Sequence, residues 1–371
     1  MPDQPIAPLD IPERYEDVTA EWLTQALRAG GVLGEQTVTS FEVKPLSAAK
    51  SRNSSLASIA VQYDGNSEGL PDSMFAKFVS RIPGNREFAA QRDVFRREIA
   101  LYENLGDVIP MDVPVMYFGG IQAGSDVGIL LMEEIVGESK QNLPYMERHL
   151  SSGEAFLGLK SLSKLHAKWW GDQSLRGYEW LGTIADDGKS FWYPMYEQAW
   201  ERMRPTVESA LSSAEIRICD GLSNYIPDLA SQLENMPATL CHGDFHTGNL
   251  LWDKLGEPAT VWAVDWQRSM QAPAVIDIAW FLGVGNSSGS EQVGSRYLPA
   301  YHAALMSHGI TGYGYDQFLS DYRFGLMYAL VRFVGALANL DMVMDDVGDF
   351  IRLCLGNIAS GAVDAGCGEL V

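Results

Sequence analysis

The apolar and polar positions in the first third of the chain predict a small antiparallel sheet. Residues 38–46 and 56–63 have the composition of two strands, and the polar segment between them predicts a hairpin. A third strand is predicted over residues 73–79, where Lys77 is the only charged residue. A fourth strand, residues 127–135, is apolar until it ends abruptly in acidic residues.

Helical periodicity dominates the remainder of the chain. Residues 86–105 are predicted to form one long helix, because Phe95, Ile99 and Tyr102 recur on one side. We expect Pro227 to interrupt a later helix and the tail from residue 356 to fray. The other helices are predicted over residues 19–28, 152–170, 192–211, 214–235, 276–282 and, as several helices, 297–355. The whole pattern indicates an α+β fold class.

Composition and charge exclude several classes of function. The 371 residues carry a net charge of −21, which argues against nucleic acid or an anionic membrane as a partner, since both need a basic face. The length favours about two domains or lobes. We predict no signal peptide. We also predict no membrane span, because the sequence has no run of ~18 uncharged apolar residues. The four cysteines lack a C-x-x-C pair, which indicates reduced thiols and a cytoplasmic location.

The segment with the most informative spacing is T-L-C-H-G-D-F-H-T-G-N-L-L-W-D, residues 239–253. Apolar flanks around a Gly-rich polar loop predict strand, loop, strand. Asp244 is followed five positions later by Asn249, which is the skeleton of the protein-kinase catalytic loop H-R-D-x-x-x-x-N. A kinase loop should be followed by a second metal-binding aspartate, and Asp265 closes the predicted strand 261–264.

The loop H-G-D-F-H-T-G-N-L-L, followed by V-D-W, resembles the aminoglycoside phosphotransferase and choline kinase superfamily. Gly243 stands where protein kinases carry arginine and where the small-molecule kinases carry glycine. The length and the Trp-rich C-terminal half resemble the ecdysteroid-kinase-like (CHK kinase-like) branch. The resemblance implies a two-lobed protein-kinase-like fold. Residues 1–136 would be the nucleotide-binding N-lobe, and residues 137–371 would be the C-lobe with the catalytic loop and the substrate pocket.

The resemblance also implies roles for residues of the C-lobe. Asp244 would accept the proton of the acceptor hydroxyl, and Asn249 and Asp265 would bind Mg²⁺ in complex with ATP. Hard oxygen ligands of this kind suit magnesium. His242 and Asp277 would support the catalytic loop without contacting the reacting atoms. The alternative for Asp277 is an ordinary acid at a helix start, which suits the helix dipole.

In the N-lobe, Lys77 and Glu98 are predicted to form an ion pair. Glu98 lies on the apolar side of its helix, where an unpaired charge would be costly, and Lys77 is the available cation. In the family this lysine binds the ATP phosphates. Lys50 and Arg52, in the glycine-free loop 47–55, could cradle phosphate or could belong to a plain exposed hairpin. The hinge segment that would hydrogen-bond adenine through its backbone comprises Met132, Glu133, Glu134 and Ile135.

The aromatic residues of the C-lobe bear on the acceptor. They lie within a short span: Trp169, Trp170, Trp180, Trp192, Tyr193, Tyr196 and Trp200. Most are expected in the core, but a pocket wall of such residues would favour an apolar or aromatic alcohol, and this is the small-molecule acceptor that we predict. The negative charge offers the opposite indication, a cationic acceptor such as an amino sugar or choline.

Two alternatives of other classes remain at this point. A non-catalytic nucleotide-binding protein of the same fold would keep the motif without turnover. A metal site built from His242, Asp244 and His246 is possible because alternate residues of a strand point the same way. However, no further His or Cys cluster completes the ligand set. His166 is predicted to be a packed helix histidine.

Overall fold

The computed structural model describes residues 9–46, 54–140, 148–285, 293–337 and 347–371. Lys50 and Arg52 lie outside the described residues. The chain divides into two compact units. The first comprises Met1–Val108 and Val113–Val136, and the second comprises Ile109–Asp112 and Gly137–Val371.

The described part of the first unit has five strands: β1 Val38–Pro45, β2 Ser54–Tyr63, β3 Ser73–Val79, β4 Met116–Ile121 and β5 Gly128–Glu133. They form an antiparallel sheet in the order β1-β2-β3-β5-β4. All four strands expected from the sequence are present, and β4 is an addition. All residues of β4 are half-buried and two of them are glycines, so it has no alternation for a pattern to detect.

Three helices accompany this sheet: α1 Ala20–Ala29, α2 Pro83–Gln91 and α3 Val94–Leu105. The prediction of one long helix over residues 86–105 is wrong, because Asp93 has φ 50°. A residue in the left-handed region cannot continue a right-handed helix, so α2 ends and α3 begins afresh. Helix α1 has a side-chain cap at Thr19 and packs its buried face, which includes Leu23 and Leu27, into the core beneath the sheet.

The second unit is mostly helical and contains two small antiparallel pairs of strands. Strands β6 Ala238–Cys241 and β9 Met270–Pro273 form one pair, and β7 Leu250–Trp252 and β8 Val261–Ala263 form the other. The helices are α4 Ser152–Lys168, α5 Ile184–Asp187, α6 Tyr193–Val207, α7 Ser213–Asn235, α8 Val275–Gly285, α9 Leu298–Ser307, α10 Tyr315–Leu337 and α11 Val347–Asp364. None of the helices in the described ranges is both long and apolar enough to cross a bilayer.

Two expectations about this unit are wrong. Helix α7 is continuous, and Pro227 lies inside it. The tail is ordered as helix α11 and does not fray from residue 356, because Leu355, Ile358 and Ala362 are fully buried on one of its faces. Helix α11 packs against α8, which follows the strands that carry the predicted site.

Candidate active site

The loop between β6 and β7 has no room for a Cβ atom at its second position. Gly243 has φ 76°, and a Cβ atom there would lie 2.1 Å from the carbonyl oxygen of Arg268. The loop therefore approaches the segment after Asp265 at closer range than any side chain would permit. This explains why glycine occupies the position that carries arginine in protein kinases.

Asp277, at the start of α8, holds the backbone of this loop through hydrogen bonds. Its Oδ2 accepts the N–H of His242 at 2.7 Å, and its Oδ1 accepts the N–H of Gly243 at 2.8 Å. The Nε2 atom of His166 lies 3.2 Å from Oδ2, and the Nδ1 atom of the same ring lies 2.8 Å from the Tyr301 hydroxyl. Burial would raise the pKa of Asp277, but His166 and the N–H of Gly243 hold it below its usual range. Asp277 thus supports the loop, and His166 is a packed histidine with both ring nitrogens engaged.

His242 joins the loop to the strand before Asp265. Its Nδ1 accepts the N–H of Asp244 at 3.2 Å, and its Nε2 donates to the carbonyl oxygen of Val264 at 3.1 Å. Burial lowers the pKa of His242, which keeps the ring neutral with the proton on Nε2. Since both nitrogens are used, His242 has no lone pair for a metal. A metal site of His242, Asp244 and His246 does not fit this geometry.

A second group with metal-ligand proximity consists of His166, Cys241 and Asp277. Here too the ring nitrogens of His166 are engaged, as described above. Burial raises the pKa of the Cys241 thiol well above its usual value, so this sulfur remains protonated. Metal binding requires a thiolate and a free imidazole nitrogen. His166 and Asp277 are therefore a hydrogen-bonded pair that supports the loop, and the Cys241 thiol donates to the carbonyl oxygens of Ala272 and Pro273.

The carboxylate of Asp244 is held on one side by an arginine from a distant helix. Nη2 of Arg332 donates to Oδ1 of Asp244, and Nη1 of Arg332 donates to the carbonyl oxygen of Gly243. Burial would raise the pKa of Asp244, but the positive charge of Arg332, followed by the neighbouring His246 and Arg268, holds it well below its usual range. Asp244 is therefore ionised at neutral pH, as a proton acceptor must be.

Asn249 and Asp265 lie at the same end of the β7–β8 pair. Leu250 pairs with Ala263, and the N–H of Val264 donates to the carbonyl oxygen of Asn249 at 3.0 Å. The side-chain nitrogen of Asn249 donates to the carbonyl oxygen of Asp244 at 3.0 Å, which directs its amide oxygen elsewhere. One amide oxygen and one carboxylate are hard donors, and this set fits Mg²⁺ better than a softer metal.

The backbone of Asp265 is unusual. Its φ is 64°, in the left-handed region that residues other than glycine seldom occupy. Such a conformation costs of order 1–3 kcal/mol and persists only where the surroundings enforce it, commonly at functional sites. The side-chain nitrogen of Gln267 helps to hold Asp265 in place by donating a hydrogen bond to its Oδ2 at 3.0 Å.

In the first unit, the expected ion pair is present. Nζ of Lys77, on β3, lies 2.6 Å from Oε2 of Glu98, on α3, and the two side chains are only 6% and 2% exposed. The hinge segment is less uniform than expected. Met132 is paired on both sides within the sheet, and the N–H of Glu133 donates to the carbonyl oxygen of Val115 at 2.7 Å. Backbone contacts with adenine would therefore fall to Glu134 and Ile135.

The buried ion pair gives a prediction about stability. Replacing Glu98 by alanine should lower the free energy of unfolding by about 3–5 kcal/mol, because the buried ammonium of Lys77 would lose the carboxylate of Glu98. The double variant Lys77→Met, Glu98→Leu should recover most of the loss. Urea unfolding would measure both. The matched control is Arg96→Ala, since Arg96 and its partner Asp93 are 63% and 68% exposed and should contribute less than about 1 kcal/mol. Equal effects of Glu98→Ala and Arg96→Ala would contradict the prediction.

Sequence reasoning missed a network of charges beside Asp244. Nη2 of Arg268 lies 3.1 Å from Oδ1 of Asp187. The other carboxylate oxygen, Oδ2, accepts hydrogen bonds from the Trp192 indole and the Tyr328 hydroxyl. Arg332 belongs to the same region, on α10. A signal existed, because Arg332 is the only charged residue between positions 325 and 337. The argument that paired Lys77 with Glu98 would also have required a partner for Arg332.

The fold and these sites define a class of protein. An antiparallel-sheet unit with a buried Lys–Glu pair, and a helical unit with the D-x-x-x-x-N loop and a following aspartate, are the parts of a protein-kinase-like phosphotransferase. The chain belongs to the phosphotransferase enzyme family, whose model matches residues 72–317. The match ends before Arg332. No curated protein matches the chain.

Solved structures confirm the fold. The chain is similar to a microcompartment-associated aminopropanol kinase, with a TM-score of 0.56, 13% identity, and coverage of 94% of this chain and 99% of that one. It is also similar to aminoglycoside 2′-phosphotransferase-IIIa in complex with GDP, with a TM-score of 0.51, 12% identity, and coverage of 95% and 100%. The predicted α+β kinase-like fold, the superfamily and the class of enzyme, a phosphotransferase, are confirmed. The hydroxyl acceptor stays a prediction. The ecdysteroid-kinase-like branch stays a prediction.

Proposed function

We propose that the protein transfers the γ-phosphate of ATP to a hydroxyl group of a small molecule. The observation that carries the proposal is the loop geometry around Asp244. This carboxylate is ionised, and its backbone is fixed through His242 and Asp277. Asn249 and Asp265 provide two hard-oxygen donors at the end of the adjacent strand pair. Phosphoryl transfer needs positioning and charge neutralisation more than covalent chemistry, and these residues fit both needs.

The residues would divide the work as follows. Asp244 would accept the proton of the acceptor hydroxyl while the oxygen of that hydroxyl bonds to the γ-phosphorus. The bond from the γ-phosphorus to the β–γ bridging oxygen would break at the same time, and ADP would leave. Asn249 and Asp265 would hold Mg²⁺, which neutralises phosphate charge when bound. Lys77, fixed by Glu98, would contact the α- and β-phosphates.

For the acceptor, we propose an apolar or aromatic alcohol. This proposal rests on the aromatic residues of the second unit, which differ in how deeply they are buried. Trp192, Tyr196 and Trp200 are core residues whose polar atoms bond to Asp187, the carbonyl of Cys219 and Asp220. The partly exposed members are Trp170, Trp180 and Tyr193.

The second candidate acceptor is a cation, such as an amino alcohol, an aminoglycoside or choline. The observation in its favour is the net charge of −21, which would attract a cation to the protein. The names of the similar structures do not decide between the two classes, because identities of 12–13% carry the fold alone.

We also propose a cytoplasmic location. All four cysteines are buried and unpaired, as expected of a protein kept in a reducing compartment.

The test combines binding with turnover. Thermal unfolding with and without ATP, each with and without Mg²⁺, should show stabilisation that needs both. ATP consumption should then be measured with aromatic and sterol-like alcohols, amino alcohols, aminoglycosides and choline in parallel. Turnover of cationic acceptors alone would overturn the apolar assignment. Nucleotide binding with no turnover of any acceptor would favour a non-catalytic nucleotide-binding protein.

A further inference from the structure

The feature that extends the proposed function is the contact of Arg332 with the catalytic loop. Arg332 lies on α10, 88 residues after Asp244, and is almost fully buried. One terminal nitrogen donates to Oδ1 of Asp244 and the other donates to the carbonyl oxygen of Gly243. The planar guanidinium therefore spans the side chain of one loop residue and the backbone of its neighbour.

The guanidinium is itself held in place. Its central carbon lies 3.8 Å from the centre of the Trp280 ring, on α8, at cation–π distance. Helix α8 also contains Asp277, which accepts the backbone N–H groups of His242 and Gly243 in the loop. Arg332 thus has a fixed plane, and the oxygen of Asp244 that it binds has a fixed direction.

The two oxygens of Asp244 differ as a result. Oδ1 accepts a hydrogen bond from Arg332 and lies 3.8 Å from Nε2 of His246. No hydrogen bond from a described residue ends on Oδ2, and 17% of the side chain is exposed. Oδ2 is therefore the oxygen that can meet an acceptor hydroxyl.

We propose that Arg332 is a positioning residue for phosphoryl transfer, which holds Oδ1 of Asp244 and the Gly243 carbonyl so that Oδ2 faces the acceptor. The proposal rests on the proposed function, because it takes Asp244 as the proton acceptor. It differs from simple charge compensation in requiring a planar group with two separate donors. A lysine would keep the charge but has one compact ammonium, which does not reproduce the fork.

That difference defines the central variant. Arg332→Lys retains the positive charge and so avoids leaving Asp244 buried without a counter-ion. We expect it to lower kcat by about 10- to 100-fold, since small misplacements of catalytic groups have effects of this size. The KM for ATP should stay within about twofold, because the contacts of Arg332 among the described residues are with the loop and Trp280.

The matched control lies on the same helix. Arg323 also contacts one carbonyl and one carboxylate, those of Gly366 and Glu369. In Arg323 a single terminal nitrogen, Nη2, donates to both acceptors, so Arg323→Lys makes the same exchange at a place that neither contacts the loop nor uses two separate donors. It should leave kcat unchanged.

The experiment has a kinetic and a structural part. Steady-state kinetics of the wild type, Arg332→Lys and Arg323→Lys are measured with the best acceptor from the alcohol screen. Crystal structures of the wild type and Arg332→Lys then compare the orientation of the Asp244 carboxylate, which we expect to rotate in the variant. A kcat within twofold of wild type, an equal loss of ATP affinity, or an unrotated carboxylate would overturn the proposal. Absence of turnover in the wild type would count against the proposed function, while the structures would still test whether Arg332 positions Asp244.

Discussion

Replacing Asp244 by asparagine is expected to lower turnover by about 10²–10⁴-fold while leaving nucleotide binding in place. A positioned proton acceptor contributes acceleration of this size, and an amide cannot accept the proton. Asparagine keeps the shape of the side chain, so the N–H bond to His242 and the carbonyl contact with Asn249 should persist. The loss should therefore fall on kcat.

The measurement needs a control for folding, because the variant leaves Arg332 without its anion. Thermal unfolding would establish the folded fraction, and rates would be expressed per folded molecule. Asp253→Asn is a matched control in the same segment, since its Oδ1 accepts backbone N–H groups of Ala259 and Thr260 and an amide oxygen can do the same. Turnover of Asp244→Asn within threefold of wild type would remove Asp244 as the base.

Removal of the Asp265 carboxylate is expected to abolish the Mg²⁺-dependent part of ATP binding and, with it, turnover. Asp265 would supply the charged ligand of the magnesium ion and Asn249 only a neutral oxygen. Because Asp265 has φ 64°, alanine would add backbone strain to the loss of the ligand. Asp265→Asn is the better first variant, since asparagine tolerates the left-handed region and removes the charge alone.

Calorimetric titration with ATP, in EDTA and then across a range of Mg²⁺ concentrations, would measure the effect. The wild type should bind ATP more tightly as Mg²⁺ rises, and both Asp265→Ala and Asp265→Asn should lose this dependence. Retention of wild-type Mg²⁺ affinity in the nucleotide complex would show that Asp265 is not a ligand. The Asp253→Asn variant again serves as the control for a lost acid in the same unit.

Elements with strong local signals were predictable from the sequence. Strand β3 has the predicted bounds, residues 73–79. Its apolar run is interrupted by a single charged residue, so the strand is easy to recognise from the sequence. Helix α4 was predicted to within two residues, and the capping box of Ser151 and Glu154 explains its sharp start. The spacing of the catalytic loop also suffices to place its residues together, since the loop is short and closed by its own backbone bonds.

The errors arise where local preference and tertiary context disagree. An aspartate in the left-handed region breaks the helix at residue 93, although the apolar spacing continues across it. Pro227 lies inside a continuous α7, whose buried face includes Leu222 and Leu229 on either side of it. In both places the neighbouring sequence alone does not decide the conformation of the residue.

Arg332 marks the limit of motif reasoning. Its contact with Asp244 joins residues 88 positions apart, and nothing near either one specifies the other. Its isolation in an apolar helix indicates only that some partner must exist, because a buried guanidinium is costly alone. The partner follows from the packing of α10 against α8, which only the structure provides.

The same distance along the chain has a consequence for biosynthesis. Ribosomes add about 5–20 residues per second, so the aspartate leaves the ribosome several seconds before the arginine that completes its surroundings. A fragment ending at residue 317 would contain the whole family match and every motif residue, yet it would lack Arg332. Gene truncations of this kind would pass a motif search as intact enzymes and should be expected to be inactive.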